Sequence, residues 1–262
     1  MTTSYKPVLA PVLLAVALLA APATQAALHD RGNGMIYDDL IDLTWIQDTN
    51  LAHLYGFGSH TPGQPQFSGF MSFAVAKTWV KNELLMELPN GQAIGGWRLP
   101  AFRPVDGLAI NLNRSFDGST DAAYNIGAPG SAHPGSTVSE LSHLFFVTLG
   151  NKAWCDVGGQ CPQSGFGPLN TGPFLNVAQY NYYWIEPAAA PTDVHAQEAW
   201  GFTTQWGSQD FLDANFVNAD VGRAWAVHDG DIAAVPEPGT WLLMLAGLTA
   251  LARRAAASAA TR

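Results

Sequence analysis

Charge is scarce in this 262-residue chain: Asp, Glu, Lys and Arg make up 13% of it, and only 12 residues are basic against 21 acidic. The formal net charge of −9 argues against a nucleic-acid binder, because phosphate recognition needs a basic surface that releases counterions. Low charge alongside 11% aromatic residues is the opposite of a disordered composition. The two cysteines would need other partners to hold zinc, and no His stands at a regular ligand spacing nearby. The seven histidines (29, 53, 60, 133, 143, 195 and 228) contain no His-x-x-x-His pair, and His143 reads as a packed or capping residue. No Gly-x-Ser-x-Gly elbow offers a hydrolase nucleophile. No period of 20–50 residues recurs between 27 and 234, which excludes a solenoid or propeller.

What charge there is lies in the middle. Residues 27–234 hold 20 acidic and 8 basic residues, hence −12, whereas residues 1–26 carry Lys6 alone and the last 28 carry Glu237 with three arginines. Lys6, the apolar stretch Val8 to Ala21 and the small residues Thr24 and Ala26 form the three parts of a secretory signal, with cleavage between Ala26 and Ala27. Fourteen apolar residues are short for a span, which needs about 20. This reading requires the secretion translocon and a signal peptidase, and places 27–234 outside the cytoplasm.

At the other end, Pro236-Glu237-Pro238 precedes an apolar run to Ala252, then Arg253-Arg254. Two prolines around one Glu predict an extended, exposed segment. A helix over about 239–252 can sit in a membrane with Trp241 at one interface and the arginines held cytoplasmic at the other. The order of these features in 235–262 resembles the PEP-CTERM sorting signal of Gram-negative bacteria. The resemblance implies processing near Pro236-Glu237-Pro238 by an exosortase, with Arg253, Arg254 and the rest of 253–262 as the basic end. It also implies an inner-membrane precursor, later a cell-surface or matrix protein associated with exopolysaccharide and biofilm.

Between the ends, Met35-Ile36-Tyr37 and Leu43-Thr44-Trp45-Ile46 predict two strands around an Asp38-Asp39 turn. Phe73, Ala76, Val80 and Leu84 share one face of a helix within Phe70 to Leu85, capped by Ser68 or Ser72. A second helix is expected from about Val138 to Leu149, capped by Ser136 or Thr137 and ended by Gly150. Tyr182 to Glu186 reads as extended. Trp200, Phe202, Thr204 and Trp206 alternate with smaller residues, so 199–213 reads as a hairpin turning at Gly207-Ser208. Ala224 to His228 would close the domain. Two helices with several short strands predict an α+β fold. Asp30-Arg31-Gly32-Asn33-Gly34, Gly95-Gly96-Trp97-Arg98-Leu99-Pro100, Ser139-Glu140-Leu141, Tyr183-Trp184 and Ala224-Trp225 together resemble the DUF1566 or Lcl C-terminal-like group. That resemblance implies a C-type lectin-like domain over 27–234, related to formylglycine-generating enzymes, with variable loops at 55–67, 103–136 and 151–179.

Cys155 and Cys161 flank Asp-Val-Gly-Gly-Gln, and in an exported chain this pair is expected as a structural disulfide. Formylglycine-generating enzymes need a differently spaced pair, so catalysis is the lesser alternative and no catalytic residue is assigned. Asp38, Asp39, Asp42 and Asp48 crowd the first strands, while Asp210, Asp213 and Asp220 follow the hairpin. They either solvate the surface or bind calcium. Calcium is the alternative, because no Asp-x-Asp-x-Asp-Gly loop and no Glu-Pro-Asn motif is present; the main expectation is no cofactor. Trp45, Trp97, Trp184, Trp200 and Trp225 are expected in the core. Trp154 and Trp206, near loops, are candidate sugar-stacking platforms, with Asp210 and Asp213 beside them. The functional expectation is an exported binder of exopolysaccharide or matrix protein; a ligand-free structural component is the rival.

Overall fold

The computed structural model describes residues 28–59, 68–179, 182–188, 199–212 and 221–232. The cleavage site Ala26-Ala27, the tail with Pro236, Glu237, Pro238, Arg253 and Arg254, and Asp213 and Asp220 lie outside them. Among the described residues no helix is long and apolar enough to cross a membrane. The architecture is mixed α+β, mostly sheet with few helices.

Strands β1 (Leu28–Asp30), β2 (Met35–Asp38) and β3 (Leu43–Ile46) form an antiparallel meander, as the alternating apolar segments around Asp38-Asp39 predict. Helix α1 (Leu51–Leu54), which the sequence pattern does not announce, follows directly. Helix α2 (Phe73–Thr78) starts at Ser72, whose Oγ accepts the Val75 N–H at 3.3 Å, and this settles the cap in favour of Ser72 over Ser68. The helix continues as a π-helical turn over Trp79–Glu83. Short strands β4 (Met86–Glu87), β5 (Ala93–Ile94), β6 (Ala101–Phe102), β7 (Arg114–Ser115) and β8 (Ala122–Tyr124) come next. Helix α3 (Glu140–His143) runs into a second π turn, Leu144–Thr148. Its N-cap is Ser139, not Ser136 or Thr137, without a side-chain cap hydrogen bond, and the Ser139 hydroxyl donates to Gln209 Oε1 at 2.8 Å. Gly150, at φ 66°, follows its end as expected.

The last third is β9 (Tyr182–Pro187), β10 (Ala199–Thr203), β11 (Ser208–Leu212), β12 (Gly222–Arg223) and β13 (Val227–Asp229). The hairpin forms, but β10 stops at Thr203. Thr203 Oγ1 accepts the Trp206 N–H at 3.1 Å and its carbonyl accepts the Gly207 N–H at 2.8 Å, so the turn occupies 204–207. The closing segment is likewise interrupted: Ala224, Trp225 and Ala226 are buried outside any strand.

β13 joins β3 to complete a four-stranded sheet, β1-β2-β3-β13. The larger sheet runs β12-β9-β10-β11-β8-β7, with β6 added in parallel to the end of β9. Between them sits an aromatic core. Trp225 packs at 5.4 Å from Trp45, 4.9 Å from Phe174 and 5.2 Å from Tyr183. Burying such rings supplies a large apolar area, and the indole N–H needs a partner when buried. Trp225 donates to the Ile46 carbonyl, Trp184 to that of Met71 and Trp97 to that of Ile94.

The Gly-Trp-Arg-Leu-Pro segment is the joint between the sheets. The Arg98 and Val227 backbones exchange two hydrogen bonds at 2.9 Å, and the Pro100 carbonyl accepts the Glu186 N–H at 2.9 Å. The Arg98 guanidinium meets Glu140 in a two-pronged pair, 2.7 and 2.8 Å, and reaches Asp229 Oδ1 and the Leu99 carbonyl. Glu140 also accepts the Ala101 N–H at 2.7 Å. These contacts hold the guanidinium charged, its pKa raised above the ordinary arginine value despite the cost of burial.

Candidate functional site

Among the described residues a concavity of about 530 Å³ opens where β11, β8 and β7 meet the loop around Cys155. Its volume falls in the range of small-molecule sites. Three of the four residues singled out for ligand binding, Trp154, Trp206 and Asp210, line it together. The fourth, Asp213, lies outside the described residues.

Trp206 stands in the β10–β11 turn and Trp154 on the facing loop. Their rings meet edge to face at 4.9 Å, and the backbone N–H of Trp154 donates to the Trp206 carbonyl at 2.8 Å. Gly207 permits this approach: it holds φ at 60°, and a Cβ there would stand 2.7 Å from Ala153 Cα. Both indoles are half-buried, so they are neither core residues nor free platforms.

The opposite wall was not legible as a site. Phe116, 46% exposed, stacks on Tyr124 at 5.6 Å and 23°. Arg114 pairs with Asp210 through Nη1 to Oδ2 at 2.7 Å and Nη2 to Oδ1 at 3.0 Å. Its side chain is 69% exposed while that of Asp210 is 17% exposed. Burial pushes the Asp210 carboxyl above its ordinary pKa, with Arg114 pulling partly the other way. Tyr182 completes the wall, its ring lying over Gly201, where a Cβ would stand 2.8 Å from Cδ1. Burial raises the phenol pKa of both Tyr124 and Tyr182.

Cys155 and Cys161 are joined, as expected, and both line the cleft. The loop they close is shaped by Asp156, whose Oδ1 accepts the N–H groups of Gly158 and Gln160 at 2.9 Å. Buried Asn125, at φ 57°, donates from Nδ2 to the carbonyls of Phe116 at 2.7 Å and Cys155 at 2.9 Å. One amide thereby ties the Phe116 wall to the disulfide.

The acidic residues of the first strands do not converge. Asp38 is buried beneath the Leu40 N–H and the Thr148 hydroxyl, Asp39 pairs with His29, Asp42 accepts from Tyr37, and Asp48 accepts from Asn176. Among the described residues no three His, Cys, Asp or Glu side chains are grouped to hold a metal ion. Desolvation and the Asp42 contact push the Tyr37 phenol up to about 12. His143 is buried, with Nδ1 3.1 Å from the Ser136 carbonyl.

Comparison of the chain with family models, curated proteins and solved structures returned no match.

Proposed function

We propose that this chain is an exported, non-catalytic saccharide-binding protein whose aromatic cleft engages a glycan of the extracellular matrix. The observation that carries this reading is the convergence of Trp154, Trp206, Phe116, Tyr124 and Tyr182 around the Arg114–Asp210 pair. Apolar faces of pyranose rings suit aromatic walls, and a few fixed polar groups orient the ring. We read the α+β domain as C-type lectin-like, on the strength of the motif resemblance. Glycan-array binding by the full-length chain tests the function: a saccharide signal lost in W206A is expected, and no signal from the unaltered protein sinks it.

Delivery is proposed to run through the two ends, by signal peptidase after Ala26 and by an exosortase at Pro236-Glu237-Pro238. The ordered Pro-Glu-Pro, apolar run and Arg253-Arg254 support this. Glu237→Ala, or truncation after Ala234, is expected to change the mature mass and surface retention in the host. Unchanged values in both variants refute it.

A further inference from the structure

The cleft's polar groups are unevenly divided between donors and acceptors. Asp210 is the one carboxylate among the described lining residues, and its oxygens already accept two Arg114 N–H bonds and the Phe211 N–H at 3.0 Å. Gln209 is also committed: Oε1 accepts from Ser139 and Nε2 donates to the Asp121 carbonyl. The Cys155 carbonyl accepts from Asn125 and Gln163. Donors remain open. The indole N–H groups of Trp154 and Trp206 and the hydroxyls of Tyr124 and Tyr182 bond no other described residue, and the two hydroxyls can accept as well as donate. An indole N–H can only donate.

This balance selects among sugars. An unsubstituted hexose presents a ring of hydroxyls, each with a proton that needs an acceptor, while Asp210, Gln209 and the Cys155 carbonyl are engaged and hydroxyls such as those of Tyr124 and Tyr182 are left to accept. A uronate presents acceptors, but Arg114 is already neutralised by Asp210 and residues 27–234 carry −12, which repels a polyanion. An acetyl group fits on both counts. Its carbonyl asks only for donors, and its methyl asks for an apolar wall, here the rings of Phe116, Tyr124 and the two tryptophans.

We propose that the cleft is selective for acetylated saccharides, with indole N–H groups of Trp154 and Trp206 donating to the acetyl carbonyl and the aromatic wall covering its methyl; this rests on the saccharide reading above. Amide and ester acetyl groups share this chemistry.

Calorimetry on the full-length chain tests it with the trimers of N-acetylglucosamine and glucosamine, cellotriose, trigalacturonate, and an O-acetylated oligosaccharide before and after saponification. At least one acetylated oligomer is expected to bind ten-fold or more tighter than cellotriose and trigalacturonate, and to lose that margin on deacetylation. Comparison of the two acetylated probes tells amide from ester. Trp154→Phe with Trp206→Phe keeps an aromatic ring at each position, though a smaller one, and removes both N–H groups. About a 2- to 10-fold weakening, the worth of a neutral hydrogen bond, is expected for the acetylated oligomer beyond whatever the smaller rings cost cellotriose. Cellotriose or trigalacturonate binding as tightly as the acetylated probes overturns the selectivity and leaves the saccharide reading standing. Absence of binding by every oligomer overturns both.

Discussion

Two arginine–carboxylate pairs, Arg98 with Glu140 and Arg114 with Asp210, sit in two different concavities and do opposite things. Arg98 is 28% exposed, meets two carboxylates and a carbonyl, and connects the segment before β6 to α3 and β13. Arg114 is 69% exposed, meets one carboxylate, and stands at the edge of an aromatic cleft. The first pair is saturated and surrounded by backbone bonds; the second leaves guanidinium N–H groups toward solvent. The same chemical pair therefore serves as a joint where the chain closes around it, and lines the proposed binding cleft where it does not. The concavity beside Arg98, about 470 Å³, is accordingly read as a by-product of the joint.

The sharpest way to break this contrast is to remove each guanidinium in turn. Arg98→Met leaves Glu140, 17% exposed, without its cation and frees the Asp229 contact. A loss of about 3 kcal/mol is expected, the scale for breaking a largely buried pair. Arg114→Met leaves Asp210 as buried as Glu140, but the cation it removes is 69% exposed and meets one carboxylate, so a smaller loss of about 1 kcal/mol is expected. Urea unfolding of the two variants measures both. Equal losses would remove the distinction between joint and cleft.

The disulfide offers a second, smaller test. Cys155→Ser with Cys161→Ser reopens a loop of sequence separation 6, worth about 2 kcal/mol in the chain-entropy account. Because Asn125 ties the Cys155 carbonyl to that of Phe116, the effect should reach saccharide binding as well as stability. Loss of stability with unaltered glycan affinity would show that the loop does not shape the cleft.

The joint was far more legible in the sequence than the cleft. Gly-Trp-Arg-Leu-Pro is contiguous, and the five expected core tryptophans are all buried. The cleft draws its walls from β7, β8, β9, the disulfide loop and the hairpin turn, and only the Trp154, Trp206 and Asp210 side could be marked beforehand. Arg114, Phe116 and Tyr124 fall within 103–136, where the motif pattern leads to the expectation of a variable loop. They reach the site through the parallel β7–β8 pair and the antiparallel β8–β11 pair. Such pairings are set by long-range packing, with no local period to announce them. The alternation at 200–206 misled for a related reason. β10 is buried at every position, so its pattern reports composition more than facing, and Trp206 belongs to the turn.

The smallest expected effect concerns pH and uses the cleft pair alone. The Asp210 carboxyl is held above its ordinary pKa of 3.8, first by burial, with Arg114 and the Phe211 N–H opposing. The folded state therefore binds this proton more tightly than the unfolded chain does. Stability from this group is fully present below the unfolded pKa and is lost as pH rises through the folded one. Asp210→Asn removes the titration while keeping an acceptor for Arg114, so the fall in stability from pH 4 toward neutrality should become shallower. Thermal unfolding across that range measures the slope. A steeper slope in the variant would mean that Arg114 outweighs burial at Asp210. The cleft pair would then resemble the Arg98 joint, where charge pairing prevails over desolvation.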